Sequence, residues 1–249
     1  MNFVACVKRV PDTASKIRVG QDGRAMDPAG VTYVVNPYDE FAVEECLRLK
    51  EKHGGTVTVL SVGPADSSKE LRHCLAMGAD RAVLVKDDQL QRDPLSTAMA
   101  LAEALKQIPH DVVFFGKQAV DHDNAQVGLL VATLLDLPAV AEVVKVELGT
   151  GIATVQREAE GKLEVFELPV PCVLTAQKGL NEPRYASLKG IMAAKSKKLD
   201  EIAVAPGDVR VEVLKMEPPA ARPEGKIVGE GAAAVPALVK RLREDAKVL

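Results

Sequence analysis

The chain has 249 residues, 47% of them hydrophobic and 27% charged, with a formal net charge of −3, which suits one large domain or a domain with extensions. That balance lacks the basic footprint of a general nucleic-acid binder, and no apolar run approaches the roughly 20 residues that span a bilayer. MNFVACVKRV at the N-terminus enters a strand-like segment without a signal-peptide pattern. The expected setting is the cytoplasm, or the mitochondrial matrix for a mature eukaryotic form.

In chain order, FVACVKRV (3–10), TVTVLSVGP (56–64), RAVLVKD (81–87) and DVVFFGK (111–117) read as buried strands. Helical patterns lie between them. PYDEFAVEECLRLKEKHG (37–54) starts on Pro37, sets Ala42, Cys46 and Leu49 on one face and stops at Gly54 and Gly55. SSKELRHCLAMGAD (67–80) and STAMALAEALKQIPHD (96–111) repeat the scheme. Strands alternating with helices of this length predict an α/β fold with a doubly wound, mostly parallel, Rossmann-like sheet.

Past residue 136 the texture changes. Residues 139–176 are β-rich, with GTG (149–151) and EG (160–161) as turns, and predict two or three antiparallel strands extending or capping the sheet. GLNEPRYASLKG reads as irregular, IMAAKSKKLDE as a basic segment, and 216–234, rich in Pro, Gly and Ala, as an extended linker. The tail VPALVKRLREDAKVL sets Leu238, Val239, Leu242 and Leu249 along one helical face. An isolated helix of that length is marginal, so the tail needs a docking surface on its own domain or on a partner. The expected organisation is an α/β domain over 1–185, a loop and basic segment over 186–205, and a C-terminal arm over 206–249.

Candidate chemistry is sparse. Cys6, Cys46, Cys74 and Cys172 are scattered in apolar segments, with no C-x-x-C and no Cys/His cluster of metal spacing. No nucleophile elbow, triad spacing or G-x-G-x-x-G occurs. The stretch VDHDNAQVG (120–128) runs from a strand into a helix, the place where open α/β sheets bind ligands on unpaired N–H groups. Gly128 would let a ligand approach the backbone. Asp121 and Asp123 would either cap the helix or accept hydrogen bonds from ribose or adenine. Locally, a plain capped helix and a phosphate site both remain open. Arg157 and Glu158 form a pair or simply alternate on an exposed strand. Leu188, Ile191 and Met192, ringed by Arg184, Lys189 and KSKK (195–198), suit an interface anchor with a polar rim.

Longer motifs carry a resemblance. VKRVPDTASKIRV (7–19), NPYDEFAVEECLRLKE (36–51), AMGADRAV (76–83), GKQAVDHDNAQVG (116–128), VQREAEGKLE (155–164) and LNEPRYASLKGIMAAKSKK (180–198) resemble, in order and over nearly the whole chain, the electron transfer flavoprotein β-subunit family (EtfB/FixA). The resemblance implies an electron carrier without its own catalytic centre. Its α-subunit partner would hold the redox-active FAD, and this chain would bury one AMP as a structural ligand. The implied AMP residues are Cys6, Asn36, Val62, Asp121, Asp123, Asn124, Gln126, Val127 and Gly128, with Thr13 and Tyr38 near the α-subunit FAD.

Leu188, with Ile191 and Met192, would dock acyl-CoA or related flavin dehydrogenases, and an ETF-quinone oxidoreductase would take the electrons onward. Glu158 and Arg184 match a pair that orients the flavin domain, and the arm after residue 215 would wrap the α subunit. Ala125 and Val127 stand where many AMP-binding members carry polar side chains, and DxAQVG is similar to bifurcating members that hold a second FAD and oxidise NADH. His122 would crowd that larger ligand. A stand-alone adenine-nucleotide signalling module is the third reading.

Overall fold

The computed structural model describes residues 1–88, 92–204, 208–221 and 224–249. Its centre is a nine-stranded sheet. Strands β1 (Asn2–Cys6), β4 (Thr56–Gly63), β5 (Arg81–Lys86), β6 (Val112–Gly116) and β10 (Cys172–Ala176) are joined by β7 (Ala139–Leu148), β8 (Ile152–Ala159), β9 (Lys162–Pro169) and β11 (Leu199–Ile202). The spatial order is β11-β5-β4-β1-β6-β10-β7-β8-β9. All neighbours run parallel except β7–β8 and β8–β9. β2 (Arg9–Pro11) and β3 (Tyr33–Val35) pair apart as a two-stranded antiparallel ribbon.

The period-two geometry of a strand divides the core. Phe3 and Ala5 face α1 (Pro37–His53) and α2 (Ser68–Met77), together with Cys46, Leu71 and Leu75. Val4 and Cys6 face α3 (Pro94–Leu105) and α4 (Val127–Leu134), together with Leu101, Leu105 and Val131. Strands covered on both faces bury every side chain, which is why they read as unbroken apolar runs. The doubly wound expectation holds.

Local chemistry sets the helix ends. Asp93 caps α3 by accepting the Ser96 N–H at 2.7 Å, and Pro94 follows at the first helical position. The hairpin between β8 and β9 turns on Glu160 (φ 50°) and Gly161 (φ 75°), two consecutive left-handed residues matching the right-handed twist of the strands.

Several boundaries differ from the sequence reading. The first run splits into β1 and β2, because the chain leaves the main sheet at Lys8. Cys172–Ala176 is not part of the antiparallel set: all five residues are buried, in a parallel strand between β6 and β7. Helix α5 (Leu188–Ala194) spans the junction between the stretch read as irregular and the basic segment, and LDEI forms the edge strand β11. Residues 186–204 therefore belong to the sheet unit.

The chain divides into two compact units, Met1–Met216 and Glu217–Leu249. The backbone N–H groups of Arg210 and Val211 donate to Asp93, at 2.6 and 3.2 Å, within the first unit. Positions 205 and 206, where the arm was expected to begin, lie outside the described residues, as do 222 and 223 of the linker. The second unit carries α6 (Val235–Glu244), which contains Leu238, Val239 and Leu242 and buries none of its residues. Leu249 lies beyond the helix.

Candidate functional site

After β1 the chain builds β4 and β5 on one side, then returns to add β6 on the other. The carboxyl ends of β1 and β6 therefore form a topological switch point, where crevices open in such sheets. The two strands pair over Phe3–Ala5 and Val112–Phe114. Beyond that ladder, the N–H groups of Lys8 and Gly116 donate to the two carboxylate oxygens of Asp39, at 2.7 and 3.0 Å. A Cβ at Gly116 would stand 2.4 Å from Asp39 Oδ1 and 2.6 Å from the Tyr38 backbone carbon, so this position requires glycine. Burial pushes the Asp39 carboxyl up to about 7, against the lowering effect of these donors.

Asn36, one turn earlier, is fully buried. Its Nδ2 donates to the Gln118 carbonyl at 2.9 Å and its Oδ1 accepts the Val120 N–H at 3.1 Å. Its side chain thus shapes the 118–120 loop.

The rest of the loop is polar and exposed. Lys8 Nζ ion-pairs with Asp121 at 2.6 Å, and Gln118 Nε2 donates to Asp123 Oδ1 at 2.7 Å. Neither aspartate caps α4, contrary to one sequence expectation. The residue at the cap position is Gln126, whose side chain makes no cap hydrogen bond to the helix. The two acids lie upstream of the helix start and are engaged by Lys8 and Gln118. Asp123 and Ala125 have positive φ of 52° and 50°, an uncommon conformation for side-chain-bearing residues.

Gly128 also has a packing role. A Cβ there would meet Thr175 Cγ2 at 2.9 Å and the Phe115 ring at 3.2 Å, so glycine lets α4 pack on the sheet. Val127 opens the helix, and Asn124 lies in the exposed loop. Val62 is half-buried at the end of β4, and Cys6 is buried with its thiol pushed well up by desolvation.

The donor set at this edge is of the kind an anionic group such as a phosphate would need. The uncapped α4 amides suit a phosphate, Lys8 neutralises Asp121, and the second Asp123 oxygen and Gln126 are placed in solvent-exposed chain for polar groups. Tyr38 lies at the same edge, with Lys117 Nζ 5.2 Å from its ring centre. Thr13 lies on an exposed turn after β2.

The structure does not bring Glu158 and Arg184 together. Arg184 is spent on α1, bonding Glu44 at 2.8 and 2.9 Å and Glu51 at 2.6 and 3.2 Å. Glu44 is buried and requires a cation. Asn181 likewise bonds the buried Glu45 at 2.9 Å. The LNEPR segment thereby satisfies two carboxylates that α1 buries. Glu158 is exposed on β8, and its neighbour Arg157 pairs across the hairpin with Glu164 at 2.6 Å.

A second surface surrounds α5. Leu188 is 79% exposed, Met192 60%, Ile191 47% and Tyr185 98%. A groove of about 720 Å³ runs beside them, lined by Arg72, His73, Ala76, Ile191 and Lys195 among others. Sequence reasoning missed Asp39 and Arg72, and placed Lys197 only in a basic rim, not on the carbonyls of Leu75 and Ala79. Asp39 looks like an ordinary first-turn acid, and nothing in the spacing tells that it faces the sheet. All four cysteines are free and buried, with burial raising Cys172 to about 11. Among the described residues no group of three or more His, Cys, Asp or Glu is placed to hold a metal ion, and no helix is long and apolar enough to cross a membrane.

The electron transfer flavoprotein domain family matches residues 25–206. The chain is 39% identical over 259 positions to the electron transfer flavoprotein subunit beta of Bacillus subtilis, covering all of both chains. It is 40% identical over 258 positions to the mitochondrial electron transfer flavoprotein subunit beta of Oryza sativa subsp. japonica, again covering all of both. With Protein FixA of Azotobacter vinelandii the identity is 40% over 229 positions, 88% of this chain and 81% of the other. The ordered motifs, the α/β sheet and these full-length likenesses agree, and the chain belongs to the electron transfer flavoprotein β-subunit and FixA family.

Proposed function

We propose that this chain is the β half of a heterodimeric electron carrier and has no reaction centre of its own. The α subunit holds most of the FAD, which supplies the redox chemistry when bound. This chain braces the flavin domain, keeps one AMP at the β1/β6 edge as a structural ligand and offers α5 to acyl-CoA or related flavin dehydrogenases. A quinone oxidoreductase takes the electrons onward. The amphipathic α6 suits docking on the α subunit.

The observation that carries this reading is Leu188, 79% exposed on a seven-residue helix. A large apolar side chain at the tip of an ordered element, beside Tyr185 and Met192, is the arrangement of an interface anchor. A small anchored contact suits a carrier that must release each partner quickly. The AMP assignment is supported by the uncapped start of α4 and by the loop that Asn36 holds open to solvent.

The test is direct. The chain is co-purified with its α subunit and mixed with an acyl-CoA dehydrogenase and its substrate, and flavin absorbance is followed. Bleaching of the heterodimer's FAD is expected. A chain that forms no complex with the α subunit, or a complex whose flavin stays oxidised with every flavin dehydrogenase tried, overturns the proposal.

A further inference from the structure

Helix α5 has seven residues and buries only Ala194. A helix that short does not persist by its own hydrogen bonds, and its apolar side chains point away from the core that would otherwise hold it. Ser187 caps its start, accepting the Gly190 N–H at 3.0 Å. Its other end is held by an exchange with α2.

Arg72, on α2, donates from Nη1 to the carbonyls of Ala194 and Lys197, each at 2.6 Å. These groups lie at and beyond the end of α5, where carbonyls lack helix partners. In return Lys197 donates from Nζ to the carbonyls of Leu75, at 2.9 Å, and Ala79, at 2.7 Å, at the end of α2. Arg72 thus sits at the negative end of α5, and Lys197, from the turn after α5, at that of α2. Desolvation holds the Lys197 amine below its ordinary value, while the two carbonyl acceptors favour its charged form. Between the two contacts, a Cβ at Gly190 would stand 2.3 Å from the Ala76 carbonyl oxygen. The helices therefore meet at a separation that only glycine permits.

This reciprocal cap does little for the core, since α5 contributes one buried residue to it. Its effect is to fix the direction of Leu188, Ile191 and Met192. We propose that Arg72 and Lys197 are positioning residues for partner docking: by capping each other's helices they hold α5 in its binding conformation before the dehydrogenase arrives. Pre-organisation of this kind removes the ordering cost that binding would otherwise meet. The inference rests on the reading of α5 as the docking helix.

The experiment is a double-mutant cycle on the complete heterodimer, with an acyl-CoA dehydrogenase as electron donor. Leu188→Ala and Arg72→Met are made singly and together. The KM for the heterodimer, the kcat at saturation and the dissociation rate of the complex are measured for each. Leu188→Ala and Arg72→Met are each expected to raise KM about tenfold with kcat within about twofold, mainly through faster dissociation.

If Arg72 acts through α5, the double variant is no worse than Leu188→Ala by more than about twofold. Lys197→Met attacks the same lock from the turn that follows α5. It is expected to match Arg72→Met, and it carries the test if Arg72→Met does not fold. A raised KM for Leu188→Ala with unchanged values for Arg72→Met and Lys197→Met overturns the positioning role alone. Fully multiplicative effects overturn it too, because Arg72 would then act independently of the helix. An unchanged KM for Leu188→Ala removes the docking reading, and this inference with it.

Discussion

The β1/β6 edge and the α5 face treat their side chains in opposite ways. At the edge, polar groups are drawn inward and matched: Asn36 holds the loop, Asp39 joins two strand ends, and Lys8 meets Asp121. At α5, apolar groups are turned outward and left unmatched, while the polar contacts are confined to the back of the helix. The first region is shaped by bonds within the chain, so a nucleotide there would complete an existing frame. The second is a fastened helix that exposes large apolar side chains, and on it the docking proposal rests. Substitutions at the edge should therefore be read in stability, and substitutions on the face in docking.

The largest expected effect sharpens that contrast. Gly116→Ala forces a methyl group against Asp39 and the Tyr38 backbone and should destabilise the chain by about 3 kcal/mol, measured by denaturant unfolding of the heterodimer. Asn36→Ala comes next. It strands the Val120 N–H and the Gln118 carbonyl together and should cost about 2 kcal/mol, with loss of bound nucleotide in the same samples. If Asn36→Ala unfolds at the wild-type midpoint, the loop is not held from within.

Asp39 adds a pH dependence whose sign follows from its environment. Its carboxyl stands at about 7 in the folded chain and near the ordinary value of roughly 3.9 when unfolded. Between those values the folded state binds the extra proton. The group's contribution to stability is therefore fully present below about pH 4 and is lost as pH rises through 7. Unfolding free energy measured from pH 4 to 8 should show this declining component in the wild type and lack it in Asp39→Asn. An identical slope in both would place the titration elsewhere. The smallest stability change belongs to the face: Leu188→Ala should shift unfolding by no more than about 0.5 kcal/mol. A larger loss would make Leu188 part of the fold.

Much of the architecture was legible because strands covered on both faces must be apolar throughout, and four such runs separated by helical periods leave few arrangements. Cys172–Ala176 escaped because it follows a hairpin in sequence but crosses back to an interior position, and nothing local records that crossing. Helix α5 escaped for a different reason: seven residues carry too little periodicity, and its ends are fastened by Arg72 and Lys197 from another part of the chain.

The candidate nucleotide residues fell at one edge because a strand-to-helix transition marks the carboxyl end of a strand. Their individual roles were less readable. Gly128 makes room for Thr175 and Phe115, and Arg184 answers the buried Glu44 before it is free for any distant partner. Those outcomes depend on which groups the fold buries nearby, and residue spacing does not carry that information.

The central claim is a two-chain carrier whose β half is built around a nucleotide that does not react. Denaturing the purified heterodimer and counting the released nucleotides by chromatography tests it most directly. The account predicts one FAD and one AMP for each pair of chains. Two FAD and no AMP would contradict it in favour of a bifurcating subunit, and no adenine nucleotide beyond a single FAD would show that the β1/β6 edge holds none.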